Sequence, residues 1–142
     1  DPRRLAGVIV LDASVLIAHL DERDGQHKRA VGRLLEVAEQ ALGCSPITLA
    51  EVLVGPARND RLEAARNAVA SLGVQHIPLA DDAPARLASL RAATGLKLPD
   101  CCVLLAAQDV GGEVLTFDDR LARAARHVRP ASLTHRPLGD SR

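Results

Sequence analysis

The chain has 142 residues, enough for one domain with a core of ordinary size. Apolar residues make up 47% and charged residues 25%, which excludes a disordered chain. The formal net charge is zero, so no global field draws in a polyanion, and any nucleic-acid contact must come from local clusters of basic residues.

With one Phe and no Tyr or Trp, the core must be built from Leu, Val, Ile and Ala. The same scarcity argues against a platform of aromatic rings for stacking bases. Sixteen of the 18 basic residues are Arg, a side chain suited to bidentate phosphate contacts; a coding bias toward Arg and Ala would give the same count. Cys44, Cys101 and Cys102 are odd in number and two are adjacent, so neither a disulfide framework nor a zinc site follows, and a reducing cytosol is expected. No signal-peptide pattern is visible and no apolar run approaches the length of a membrane span. The chain starts at Asp1 without a Met, so a few further residues or a start codon are expected before it.

Short apolar runs alternate with longer helical stretches, the pattern of α/β organisation with a mostly parallel sheet in three layers. Val8–Leu11 reads as a buried strand. A helix is expected from about Ser14 to Leu20, then a polar turn over 21–25. A second helix is expected over 26–42, with Ala30, Leu34, Val37, Ala38 and Leu42 on one face. Residues 43–45 read as a short strand or turn. A third helix starts near Pro46 and should break around Gly55-Pro56. A fourth covers 61–72 and stops at Gly73. Residues 74–79 read as a strand. Asp81 or Asp82 caps a helix to Thr94, stopped by Gly95. Pro99 opens a helix over 100–109, followed by a strand at 114–116. Asp118 or Asp119 starts a helix to about Arg126, and 127–129 reads as a last short strand. One domain over 1–142 is expected, with its core at about 7–130 and an exposed tail at 131–142.

Four acidic residues stand where a solvated helix face does not explain them. Between Val8 and Ala18 the only polar residues are Asp12 and Ser14. A carboxylate there is costly unless compensated, and the C-terminal end of a parallel strand is where open sheets place ligands. Capping of the next helix is the structural alternative. Glu51 shares a helix side with Ile47, Ala50 and Val54, which would aim it inward; a rim position is the alternative. Asp100 follows Pro99 in a first helical turn, where the helix dipole already favours it. Asp118 follows the strand at 114–116, where it or Asp119 could cap the next helix, and the Thr116 hydroxyl could hold a carboxylate. Together the four suggest one cluster, which repels itself unless a hard cation sits within it. Oxygen ligands favour magnesium or manganese over zinc and suit phosphoryl-ester hydrolysis. The five His residues are scattered and form no competing cluster.

These residues resemble the motifs of PIN-domain ribonucleases. Leu11-Asp12-Ala13-Ser14-Val15-Leu16-Ile17 resembles the first motif and Leu49-Ala50-Glu51-Val52-Leu53-Val54-Gly55 the second. Leu98-Pro99-Asp100 resembles the third and Leu115-Thr116-Phe117-Asp118 the fourth. All four occur in the family's order over about residues 7–130. The short length and the Ala50–Pro56 run resemble VapC toxins of bacterial toxin–antitoxin pairs. The resemblance implies a five-stranded parallel sheet flanked by helices, and endoribonuclease activity with Mg2+ or Mn2+ on tRNA, rRNA or mRNA. It implies Asp12 and Asp100 as the main metal ligands, Asp118 completing the site directly or through water, and Glu51 orienting water or ligands. Ser14 and Thr116 would support them. Because Asp119 follows Asp118, which of the two faces the metal stays open; the spacing from Thr116 favours Asp118. It further implies a cytoplasmic homodimer restrained by a VapB-like antitoxin that inserts a segment into the acidic site, with helices near 47–72 as its docking surface.

Arg120, Arg123 and Arg126 share roughly one helix face, with Arg129 just beyond, and could line an RNA groove; a solvated face near a helix C-terminus is the alternative. Among other functions, a haloacid-type phosphatase needs a second Asp where Ser14 stands, and a receiver domain needs a late Lys where none follows Lys97. A PIN-type RNA-processing nuclease without toxin function, or an inert PIN-like RNA-binding module, remain as alternatives.

Overall fold

A computed structural model describes residues 7–128. Its elements in chain order are β1 (Ile9–Leu11), α1 (Ala13–Leu20), α2 (His27–Glu36), β2 (Leu42–Cys44), α3 (Pro46–Arg58), α4 (Leu62–Ser71), β3 (Val74–His76), α5 (Ala83–Thr94), α6 (Leu98–Val110), β4 (Glu113–Leu115) and α7 (Asp119–His127). The strands pair in parallel in the order β3-β2-β1-β4.

The expected parallel α/β domain is present, with four strands among the described residues in place of five. The residues expected as the last strand include His127, which closes α7, and Arg129, which lies outside the described residues. The expected tail at 131–142 lies outside them too.

Strand β1 is buried on both sides, so its side chains serve two cores. Ile9 and Leu11 point into one apolar cluster with residues of α1, α2, α3 and α4, including Leu16, Leu34, Val52 and Val69. Val10 points the other way, among Leu96, Leu104, Ala107 and Leu121 of the α5–α7 side. This alternation produces the three layers. Helix α6 is buried over Cys101–Ala107, seven consecutive residues, because it packs against both β1 and β4 as well as α3 and α5. Gly95 and Gly111, at φ 72 and 63, end α5 and α6 in the left-handed conformation that a side chain disfavours.

Two boundaries differ from the sequence expectation. Helix α2 ends at Glu36, and Leu42 belongs to β2, pairing with Ile9 and Val74. Leu42 fits the helical periodicity of the preceding segment, but its backbone is taken by the two neighbouring strands. Helix α3 continues through Gly55-Pro56 to Arg58. Pro56 removes the donor that would reach the Val52 carbonyl, but it stands in the last turns, and its own carbonyl accepts from Asn59 at 3.1 Å and Arg61 at 2.8 Å. The chain therefore leaves the helix after Pro56, not before it.

Candidate acidic site at the strand ends

Asp12 lies where β1 ends and α1 begins. Its N–H donates to the Leu115 carbonyl at 3.0 Å, the last link between β1 and β4. The side chain is 6% exposed and occupies the N-cap position without making a cap hydrogen bond. Its Oδ2 instead accepts from the Ser14 hydroxyl and from the Thr116 hydroxyl, each at 2.7 Å. Both hydroxyls also accept. Ser14 Oγ takes the Phe117 N–H at 3.1 Å and Thr116 Oγ1 takes the Asp118 N–H at 3.0 Å. Because each hydroxyl receives a backbone donor, its proton is left free for the carboxylate. The β4–α7 connection is thereby tied to the one buried carboxylate of the sheet. No hydrogen bond reaches Asp12 Oδ1 among the described residues.

Glu51 does not point into the core. Its helix side, with Ile47 at 39% and Val54 at 46% exposure, faces outward, and α3 buries Thr48 and Val52 instead. The helix carries two stripes of comparable spacing, and packing against α1, α4 and α6 selects the second. Glu51 still belongs to the acidic group electrostatically. Desolvation pushes its carboxyl above the ordinary range, and the charges of Asp12 and Asp100 push it further the same way.

Asp100 sits half-buried in the first turn of α6. Desolvation raises its pKa, the Asp12 and Asp118 charges add to that, and Lys97 and Arg120 oppose it. Asp118 is the N-cap of α7, its Oδ1 accepting from Arg120 N–H at 2.8 Å and Leu121 N–H at 3.2 Å. The capping role and the acidic-site position are therefore compatible. Asp118, and not Asp119, acts on Asp100; Asp119 is exposed in the first turn of α7.

The four acids thus share one electrostatic field, although they reach it from four separate elements. Among the described residues, no three His, Cys, Asp or Glu side chains stand close enough to form a metal cage. By donor chemistry alone, a carboxylate-only set suits a hydrated hard cation, which takes one or two carboxylates directly and keeps several waters, better than zinc with its closed tetrahedral set. Raised carboxyl pKa values, and an Asp12 Oδ1 without a hydrogen-bond partner among the described residues, are what such an ion would relieve.

Arg120, Arg123 and Arg126 are all exposed on α7. Of the three, Arg120 is the one whose charge opposes the rise in the Asp100 pKa. Lys97 and Arg29 were not singled out by sequence reasoning. Lys97 immediately precedes α6; the Arg29 guanidinium lies over the Phe117 ring, 4.3 Å from its centroid. Lys97 is near Asp100 through the chain itself, three residues before it, whereas only the fold brings Arg29 beside Phe117. Two surface recesses lie away from these acids, one between α4 and β3 beside Arg66 and Val74 and one on α5 beside Arg86.

An open parallel sheet with carboxylates gathered at the C-terminal ends of β1 and β4 places the protein in the class of α/β domains with an acidic centre at the strand ends. Within that class, a model of the PIN domain matches residues 9–127, and the chain belongs to the PIN domain family. Among solved structures, a toxin–antitoxin complex from Klebsiella pneumoniae is 29% identical, covering 78% of this chain and 86% of that one at a TM-score of 0.63. VapC20 of Mycobacterium tuberculosis, a toxin that cleaves the sarcin–ricin loop, is 20% identical over 86% of this chain and 99% of its own, at 0.71. VapBC2 of Rickettsia felis, bound to a fragment of promoter DNA, is 14% identical over 82% and 92%, at 0.65. The last two bear on the fold alone. A search of curated proteins finds no match. Among the described residues, no helix is long and apolar enough to cross a membrane.

Proposed function

We propose that this PIN domain is a magnesium- or manganese-dependent endoribonuclease and the toxin of a toxin–antitoxin pair. The observation that carries the reading is the Asp12 carboxylate, buried at a strand end, with Oδ2 held by two hydroxyls and no hydrogen bond to Oδ1 among the described residues. In this reading Asp12 and Asp100 hold the cation, Asp118 joins through its remaining oxygen or through water, and Glu51 orients water from the rim. The bound ion would supply a more acidic water and neutralise charge building on the phosphate. Ser14 and Thr116 keep the Asp12 carboxylate in one orientation. Glu51, exposed on α3, would orient that water at its carboxylate. Arg120, Arg123 and Arg126 would contact the RNA backbone.

The toxin assignment is supported by the Klebsiella pneumoniae complex, similar over most of both chains. An antitoxin of VapB type would be the partner. The exposed apolar side of α3, with Ile47 and Val54, lies beside Glu51 and is a surface it could cover. A homodimer is the assembly we expect.

Purified protein should cleave single-stranded RNA with added Mg2+ or Mn2+ and not in EDTA. Asp12→Ala and Asp100→Asn should abolish cleavage while circular dichroism stays that of the wild type. Cleavage at the wild-type rate by either variant would overturn the site assignment. Expression should slow bacterial growth, and co-expression of a small adjacent reading frame should relieve it; cleavage without toxicity in several hosts would favour an RNA-processing nuclease.

A further inference from the structure

The only phenylalanine of the chain is tied into the acidic site through its backbone. Phe117 stands between Thr116 and Asp118, and its N–H donates to Ser14 Oγ, so it belongs to the framework that holds Asp12. Its ring packs against the core cluster on the α1–α2 side. The guanidinium of Arg29, from α2, lies over that ring at 4.3 Å. Arg29 is exposed, and among the described residues it forms no ion pair, whereas Arg33 and Arg66 each have a carboxylate partner. An exposed planar cation is therefore held 4.3 Å from the centroid of an anchored ring, on the residue next to Asp118. A guanidinium plane is a surface on which an unpaired base stacks.

We propose that Arg29, seated on Phe117, is a stacking surface for a nucleobase adjacent to the scissile phosphate, and so sets base preference at one position of the RNA. This rests on the ribonuclease reading. It also answers the scarcity of aromatic residues: one ring suffices when it supports a guanidinium. A lysine could not replace it, because an ammonium has charge without a plane.

The test compares Arg29→Ala, Arg29→Lys and Phe117→Leu with the wild type, in two measurements. In cleavage of short single-stranded RNAs, Arg29→Ala and Arg29→Lys should raise KM by about tenfold, keep kcat within about twofold, and lose preference at one base position in the sequenced ends. Phe117→Leu should show a smaller effect in the same direction. In the second measurement, an RNA carrying 2-aminopurine binds the non-cleaving Asp12→Asn protein; its fluorescence should be quenched, and the quenching should be lost when Arg29→Ala or Arg29→Lys is added. Wild-type KM and base preference in Arg29→Lys would show a phosphate contact only and overturn the proposal. So would a fall in kcat and Tm at constant KM in Arg29→Ala, which would make Arg29 a strut for the β4–α7 connection. Quenching without any RNA cleavage by the wild type would sink the ribonuclease reading and leave the stacking surface standing.

Discussion

Replacing Thr116 with Val removes a hydroxyl and leaves the shape, so it isolates one hydrogen-bonded link. The lost proton is the one donated at 2.7 Å to Asp12 Oδ2. Asp12 is 6% exposed, so little water can take its place. A hydrogen bond to a charged group contributes about 1.5–3 kcal/mol. The Asp118 N–H also loses its acceptor, but that residue is exposed and water replaces it. For a chain of this length each kcal/mol moves Tm by roughly 4 °C. Thr116→Val should therefore lower Tm by roughly 6–12 °C, while Thr116→Ser, which keeps the hydroxyl, should recover most of the loss. Activity should fall by about 10- to 100-fold, as when other groups that orient metal ligands are removed. Differential scanning calorimetry and single-turnover cleavage measure the two effects. If Thr116→Val melts within about 1 °C of the wild type and cleaves normally, the hydroxyl does not support Asp12 and the framework described above is wrong.

Other consequences follow from the same geometry. Asp100→Asn removes a charge that Asp12 and Asp118 repel, so it should raise the metal-free Tm while abolishing cleavage; a lower Tm would mean that Asp100 is held by attraction. Glu51 and Asp100 have folded-state pKa values above their unfolded ones. The folded state then binds more protons than the unfolded one in that window, so these two groups lower stability as pH rises through it. Added Mg2+ should cancel that loss, giving a Tm gain that is large near neutral pH and vanishes on acidification toward about pH 4; a pH-independent gain in calorimetry would place the ion elsewhere. A Cβ on Gly112 would stand 2.6 Å from the Val8 carbonyl, a backbone atom that cannot move without disturbing the β1–β4 pairing. Gly112→Ala should cost about 1–3 kcal/mol, whereas Gly25→Ala, with nothing within 4 Å, should be neutral in urea titration.

Much of the candidate site could be read without coordinates. A lone carboxylate after an apolar strand is costly to bury, and that argument marked Asp12; the Thr116 hydroxyl was legible as a holder of a carboxylate, and the motif resemblance added Ser14. Parallel α/β organisation was legible too, because β1 reads as a continuous apolar run and helices α5 and α6 end at glycines in left-handed conformation. What local pattern could not settle is rotation and partnership. Helix α3 has two candidate faces, and only packing against α1, α4 and α6 buried Thr48 and Val52 and left Glu51 at the rim. Leu42 satisfies a helical period and a strand equally, and the hydrogen bonds of two neighbouring strands decided between them. The pairing of Arg29 with Phe117 carries no signal at all in sequence, since a guanidinium finds its ring through the fold of two distant segments. The residues that must be chemically special were determined locally, by the cost of burying them; those that meet them were decided by tertiary packing, which no periodicity encodes.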